Sequence, residues 1–383
     1  MSYLTEERRM IQQTAREFAM KEVLPQANEL DRKRADIPME LRKKMANLGY
    51  FGIRIPTEYG GLGLGVFEYC LVTEELARAW MSVASIIARG NSMGVSELPE
   101  EYRRKYLPLQ AQGEFLGAAA LSEPEAGSDL ANVSCRAVRT ANGWAISGPK
   151  MWCTFADGAD FLVVLARTSE PPPGGARHLG ISRFFVPKER GNLPPGVTGR
   201  PIDTLGYYGW RTWELYFDNC PVPEWGLLGE EGRAFYGTMR GMEVARAHTA
   251  ARAIGLARGA LEDSIAYAQQ RRQFGRPIAQ FQAIRFMLAE MAAEIEAARQ
   301  LLYHVASEID TGRRCDKEAA MVKWFATEMA ERVTSMGIQI HGGYGYTYDL
   351  PVQRYWRDAR LTKIFEGTSQ IQLHIIANHL LGE

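Results

Sequence analysis

Hydrophobic positions change their period twice along this chain. From Thr5 to about Gly117 they recur at helical spacing between Gly- and Pro-rich breaks. Thr5 can cap a first helix, with Glu6 and Glu7 in its opening turn, where carboxylates face the positive end of the helix dipole. Pro56 to Gly65 reads as a loop, and Phe67 to Arg89, free of Gly and Pro, as one helix. Between about Ala118 and Leu228 the runs shorten. Asn142-Gly143 is a hairpin signal, Phe161 to Leu165 a continuous apolar run, and Pro171 to Gly175 a surface loop. From about Gly229 the helical pattern returns. Ile284, Leu288, Met291, Ile295, Ala298, Leu302, Val305 and Ile309 alternate steps of four and three, the seam of helices packed nearly parallel or antiparallel. Val322, Phe325, Met329, Val333, Met336 and Ile340 form a second stripe, and Ile254, Leu261, Ile265 and Ala268 a third, with a last helix from about Ser369. The expected fold is α+β: an N-terminal α-helical domain over 1–117, a middle antiparallel β-domain over 118–228, and a C-terminal four-helix bundle over 229–383.

Charge adds little to this picture. Lys plus Arg and Asp plus Glu number 45 each, so no basic excess points to nucleic acid. The five cysteines are scattered without a CxxC, which suits reduced thiols better than a disulfide framework. His374 and His379 lie five apart and share no helix face, and no metal site is expected. No apolar run reaches bilayer-spanning length, and the N-terminal residues lack a signal-peptide core. A cytoplasmic protein without membrane or nucleic-acid partners is expected.

Five segments have the composition of ligand-binding backbone. Leu121-Ser122-Glu123-Pro124-Glu125-Ala126-Gly127-Ser128-Asp129 offers hydroxyls beside a glycine that lets a flat ligand approach, although such clusters are more often plain turns. Lys150-Met151-Trp152-Cys153-Thr154 ends a predicted strand; Trp152 suits an aromatic ring system or a sandwich core, and Thr154 a ring nitrogen. Gln270 to Gly275, with Arg271, Gln273 and Phe274, precedes Gln280-Phe281-Gln282; its paired arginines suit a pyrophosphate or a solvated helix end. Gln339 to Gly345, with Gly342 and Gly343, is a Gly-rich helix end. In Lys363 to Ile371, Glu366 stands beside Gly367 and just before residues able to cap the last helix. The helix N-terminus favours its charged form and burial under a ligand its neutral one, which suits a base that gains a proton in turnover.

In this order and spacing, SEPEAGSD, MWCT, QRRQFG with QFQ, QIHGGYGY and IFEGTSQIQ resemble the acyl-CoA dehydrogenase family over nearly the whole chain. The resemblance implies FAD held between the β-domain and the bundle, in a homotetramer. Leu121, Ser122 and Ser128 match residues lining the flavin ring, with Ser128 also near the thioester. Trp152, Cys153 and Thr154 match the segment packed against the flavin. Arg271, Gln273, Phe274, Phe281, Gln282, Gln339, Gly342 and Gly343 match contacts to adenine and diphosphate, partly from a neighbouring subunit, and Thr368 and Gln370 further FAD contacts. Glu243 and Arg246 match an acidic-x-x-Arg element beside the CoA ester, with Glu here where Asp often stands. Glu366 matches the base of the family's commonest branch. Ala245 stands where another branch carries its base, so Glu366 has no rival.

The implied reaction is α,β-dehydrogenation of an acyl-CoA to the trans-2-enoyl-CoA. The flavin ribityl hydroxyl and the Glu366 N–H polarise the thioester carbonyl, and Glu366 takes the α proton while the β hydrogen leaves as hydride to the flavin. Electrons then pass to an electron-transferring flavoprotein. Gly367 adjoins the base on the substrate side. The chain departs from medium-chain members at Arg89, where they carry an acidic residue, and the connection that follows looks shorter. Arg89 either reads a polar or carboxylate end of a short or cyclic acyl group or reaches solvent over its packed stem. An oxygen-using oxidase or monooxygenase of the same fold, and a non-catalytic flavin- or DNA-binding relative, are the alternatives.

Overall fold

A computed structural model describes residues 3–382, without the side chains at 236 and 240. The chain opens with α1 (Glu6–Phe18), capped by the Thr5 hydroxyl, which accepts the Arg8 N–H at 3.3 Å. One π turn over Ala19–Val23 leads into α2 (Leu24–Arg32), and α3 (Met39–Asn47) follows. α4 (Val66–Ala79) is buried along its whole length. Its first N–H groups have no partners within the helix. The Asp310 carboxylate, from far along the chain, accepts those of Val66 and Phe67 at 2.6 and 3.0 Å. Gly65 makes this possible, because a Cβ there would lie 2.5 Å from the Asp310 carboxylate.

The single helix expected over Phe67 to Arg89 is broken. Trp80 takes an extended conformation (φ −160°, ψ 117°), α5 (Met81–Ile86) restarts, and a 3₁₀ turn over Ile87–Arg89 ends the run. Tertiary packing decides this against local propensity. The Trp80 side chain is fully buried, and Arg354 donates to the Ala79 carbonyl at 2.8 Å, giving that carbonyl the partner the broken helix denies it. α6 (Glu100–Ala111) completes the first part.

The middle strands are β1 (Gly117–Ala120), β2 (Arg136–Thr140), β3 (Gly143–Thr154), β4 (Phe161–Arg167), β5 (Ile181–Pro187), β6 (Val197–Ile202), β7 (Thr212–Pro223) and β8 (Leu227–Leu228). They form one sheet in the order β6-β7-β3-β2-β4-β5-β8. The Asn142-Gly143 signal becomes the turn of the β2–β3 hairpin, with Thr140 paired to Gly143. Most neighbours are antiparallel as expected. β1, which comes from α6 and not from a hairpin, runs parallel to β4, as β2 does through a single pairing of Arg136 with Arg167, so the sheet is mixed.

The last part holds α7 (Ala234–Gln270), a small hairpin of β9 (Arg272–Gln273) and β10 (Arg276–Pro277), α8 (Gln282–Asp310), α9 (Asp316–His341), α10 (Val352–Thr362) and α11 (Ser369–Leu381). Met291, Ile295, Ala298, Leu302 and Val305 of the α8 seam are buried, as are Val322, Met329, Val333 and Ile340 of α9. α7 lies close on α4, since a Cβ at Gly255 would meet the Glu74 carbonyl at 2.4 Å. Ion pairs tie the first part to the last: Arg258 with Glu74 at 3.0 Å, and Arg78 with Glu262 and Asp263 at 2.8 Å each.

Candidate active site

Glu366 sits in the short link between α10 and α11, with its backbone left-handed at φ 54° and Gly367 following at φ 90°. A non-glycine residue in this region is uncommon and held by its surroundings. Those surroundings are polar. Arg252 Nη2 donates to Glu366 Oε1 at 2.9 Å, and the Thr249 hydroxyl donates to Oε2. The Gly367 carbonyl accepts from Lys323 Nζ at 2.6 Å and from Gln372 Nε2 at 3.0 Å. The Glu366 side chain keeps 31% of its surface accessible while that of Arg252 keeps 2%, so the carboxylate is open on one side and backed by a buried cation on the other. No backbone acceptor among the described residues takes the Glu366 N–H.

Arg252 is a fixed element of this cluster. Its Nη1 donates to Ser85 Oγ at 3.0 Å and reaches Tyr207 Oη at 3.5 Å, and its guanidinium lies 4.7 Å from the centre of the Phe365 ring. Burial alone would lower its pKa, but Glu366 and Tyr207 outweigh that and hold it raised. Burial pushes Lys323 down to about 8 against the pull of Glu366, and keeps His248 well below the usual histidine range. Arg89 lies 5.1 Å over the Trp210 ring with its Nε buried and unpartnered. Burial lowers its pKa, with Tyr207 and Glu366 pulling the other way. The residue as a whole is half-buried.

Aromatic contacts join this cluster to the β-sheet. Phe365 meets Tyr207 at 5.8 Å, Tyr207 meets Trp210 at 5.1 Å, and Trp210 meets Phe155 at 5.8 Å, directly after the Trp152-Cys153-Thr154 segment. There β3 slips register against β7 between Lys150 and Cys153, and Trp152 takes φ 61° with 57% of its surface exposed. The Trp152 indole is therefore a platform outside the sandwich core. Cys153 is buried, so its thiol offers no ligand surface. Thr154 Oγ1 pairs with Thr212 Oγ1 at 3.0 Å. The 121–129 segment is anchored by Glu123, which is buried and paired with Lys150 at 2.8 Å, and by the Ser122 carbonyl, which accepts from Met151 N–H at 2.8 Å. Ser128 and Gly127 are exposed beside it.

Elsewhere the candidate residues gather in two more groups. At one end of the bundle, Arg271 stacks over Tyr344 at 5.6 Å and Phe274 meets Phe281 at 6.0 Å, with Gly342 and Gly343 open to approach. Gln273, Gln282 and Gln339 are exposed there, and Phe274 has 92% of its surface exposed at the tip of the β9–β10 hairpin. Near the start of α7, Arg246 is 4% exposed, with Nε and Nη1 lacking hydrogen-bond partners and Asp316 3.7 Å away. Glu243 lies 2.6 Å from Arg314 and accepts the Cys315 N–H at 3.1 Å. Thr368 caps α11 by accepting the Ile371 N–H at 3.3 Å, and Gln370 is exposed on its first turn. Two cavities of about 720 and 540 Å³ flank α1, and no candidate residue lines either. Sequence reasoning missed Arg252, Thr249, Ser85 and Tyr207. The readable signal was Arg246, Thr249 and Arg252 recurring every third residue in an alanine-rich helix.

The group that this arrangement suits is a flavin. The outward indole at a strand bulge, the open glycines at 342 and 343 and the buried Arg246, whose Nε and Nη1 lack hydrogen bonds, fit a planar ring, close backbone approach and a phosphate-bearing ligand. Comparison with known proteins agrees. Family models of the acyl-CoA dehydrogenase N-terminal, middle and C-terminal domains match residues 5–114, 118–220 and 232–381. An acyl-CoA dehydrogenase of Bacillus subtilis is 42% identical over 384 residues, covering 99% of each chain. Among solved structures, butyryl-CoA dehydrogenase from Megasphaera elsdenii is 35% identical with a TM-score of 0.92, covering 99% of each chain. A chain solved in work on the electron transferring flavoprotein of Acidaminococcus fermentans is 38% identical with a TM-score of 0.93, again covering 99% of each. A glutaryl-CoA dehydrogenase from Mycobacterium smegmatis in complex with FADH2 is 28% identical with a TM-score of 0.91, covering 100% of this chain and 96% of that one. On its three matched segments and its full-length relatives, the chain belongs to the acyl-CoA dehydrogenase family.

Proposed function

We propose that the chain oxidises a short acyl-CoA thioester between its α and β carbons to the trans-2-enoyl-CoA, with Glu366 as the base that takes the α proton. The observation that carries this reading is a carboxylate on a left-handed link, open on one side and held from behind by Arg252 and Thr249. FAD is the cofactor, and when bound it supplies the acceptor for the β hydrogen. Trp152 and Thr154 would flank its ring with Leu121, Ser122 and Ser128, while Arg271, Gln273, Phe274, Phe281, Gln282, Gln339, Gly342, Gly343, Thr368 and Gln370 would hold the rest. The exposure of Phe274 and its neighbours on a single chain suits a site completed by another copy in a homotetramer. The Glu366 N–H, free of backbone acceptors, would polarise the thioester oxygen. Arg246 and Glu243 lie on the CoA side, and Gly367 beside the base. An electron-transferring flavoprotein is the expected acceptor of the electrons, in keeping with the Acidaminococcus relative.

Arg89 is assigned to the acyl end. A half-buried arginine whose Nε is buried without a partner favours an acyl group that ends in a carboxylate or another acceptor. One experiment tests both assignments: anaerobic titration of the FAD-loaded protein with butyryl-, isobutyryl-, succinyl- and glutaryl-CoA, following flavin absorbance. Bleaching by at least one thioester, abolished in Glu366→Gln, is the expected result. Full-speed bleaching by that variant would end the reading of the base. An unchanged ratio of dicarboxylyl- to plain acyl-CoA bleaching in Arg89→Ala would end the assignment of Arg89.

A further inference from the structure

We propose that Arg252 and Thr249 together form a parking and positioning device for the base, an inference that rests on the reading of Glu366 as that base. In the structure both carboxylate oxygens are engaged from one face of α7, Oε1 by Arg252 Nη2 at 2.9 Å and Oε2 by the Thr249 hydroxyl. Each oxygen keeps a further lone pair, so these bonds do not silence the base; they set where it rests, drawn back against α7, and a swing of one oxygen would bring it toward the substrate.

The two contacts differ in how they let go. Thr249 has a single hydroxyl proton and two acceptors within reach, Glu366 Oε2 and the Ala245 carbonyl at 2.9 Å. When Oε2 leaves, that proton turns to Ala245, and no buried donor is stranded. The Thr249 oxygen still accepts from Arg252 Nη2 at 2.8 Å in either state. Arg252 has no such alternative. Ser85, Tyr207 and the Phe365 ring fix its guanidinium, and Glu366 is its only carboxylate partner among the described residues, so losing Oε1 would leave a buried charge unpaired. The cheaper motion keeps Oε1 on Arg252 and swings Oε2 off Thr249. The α proton would pass to the freed Oε2 and the C–H electron pair would stay with the thioester, FAD supplying, when bound, the acceptor for the β hydrogen and its electron pair. The other charged or titratable groups facing Glu366 are Arg89 and Tyr207 from the acyl side, Tyr69 from α4 and Lys323 from α9, and none of them bonds either oxygen.

The test uses FAD-loaded Arg252→Met, Arg252→Lys and Thr249→Val, compared with Glu366→Gln, on the thioester that best bleaches the wild type. Per bound flavin, Arg252→Met should reduce single-turnover flavin reduction by roughly 30-fold or more, the scale of a base misplaced by about an ångström. KM should stay within about threefold, because the thioester itself is not contacted. Arg252→Lys should recover part of the rate, and Thr249→Val should cost less than about tenfold, since only the parking bond is lost. A crystal structure of the Arg252→Met holoenzyme should show the carboxylate displaced from α7. Wild-type reduction per bound flavin in Arg252→Met, or a crystal structure with Glu366 still seated on Thr249, would overturn the proposal. Activity in Glu366→Gln would instead overturn the reading of the base.

Discussion

At position 366 the conformation and the chemistry are coupled through the residue that follows. Glu366 at φ 54° occupies a region where side chains are tolerated only under constraint, and Gly367 at φ 90° continues the turn into α11. A Cβ on residue 367 would also fall 2.4 Å from Nε2 of the buried Gln372, which holds the Gly367 carbonyl. Gly367→Ala therefore carries two penalties, an unfavourable φ worth about 1 kcal/mol or more and a forced shift of Gln372. Both act on the segment that aims the carboxylate. The variant should fold with a lowered melting temperature and retain flavin, yet reduce the flavin roughly 10- to 100-fold more slowly, because displacement near an ångström is enough to lose that much. Thermal unfolding with single-turnover reduction separates the two effects. A wild-type rate would show that the turn does not aim the base.

At the scale of elements, the 121–129 segment and the end of β3 depend on one buried pair. Lys150 and Glu123 are 0% and 2% exposed and 2.8 Å apart; Lys150 also donates to the Leu121 carbonyl at 3.0 Å, and Glu123 accepts from Ser134 N–H and Cys135 N–H at 2.6 and 3.0 Å. Burial would raise the Glu123 pKa, but Lys150 and these donors outweigh it and hold the carboxyl low. Lys150→Met strands that charge and should destabilise the protein by about 3–5 kcal/mol, with loss of bound flavin as the loop loosens. Adding Glu123→Gln should restore much of the stability, since both charges are then gone, and urea unfolding of the single and double variants measures this. Equal stability of the two variants would refute it. This pair also marks what was legible beforehand. Lys150 and Glu123 stood inside quoted motifs, yet nothing in their spacing paired them, because residues 27 apart meet only through the sheet register. The α8 seam was readable because its period is local. The break at Trp80 was not, since Arg354, far along the chain, supplies the bond that stabilises it. Likewise the motif exposed Glu366, while Arg252, which holds it, stands 114 residues away, and the repeat that marks it does not name its partner.

Across the whole molecule, the three parts meet at another buried carboxylate, Asp358 of α10. Its Oδ1 accepts the Tyr207 N–H at 2.7 Å from the link between β6 and β7, and Arg357 beside it pairs with Asp31 of α2. Tyr207 in turn reaches Arg252, so this junction supports the base from behind. Asp358 is fully buried, and burial together with Asp31 pushes its pKa up to about 7. A carboxyl raised in the folded state binds its proton more tightly than the unfolded chain does. Its contribution to stability is therefore complete below the unfolded value near 4 and is lost as pH rises toward about 7, with a slope of at most about 1.4 kcal/mol per pH unit. Most carboxylates that gain a cation do the reverse. Asp358→Asn keeps an acceptor for the Tyr207 N–H and removes the titration. Denaturant unfolding at pH 5 and pH 7.5 should then show the wild type losing stability relative to the variant at the higher pH. His248 and His341, whose pKa values burial lowers, contribute the opposite slope in both proteins and cancel in the difference. A difference between the two proteins that stays constant across this range would mean that Asp358 is already ionised at pH 5, and that Arg357 governs the junction more strongly than burial and Asp31 do.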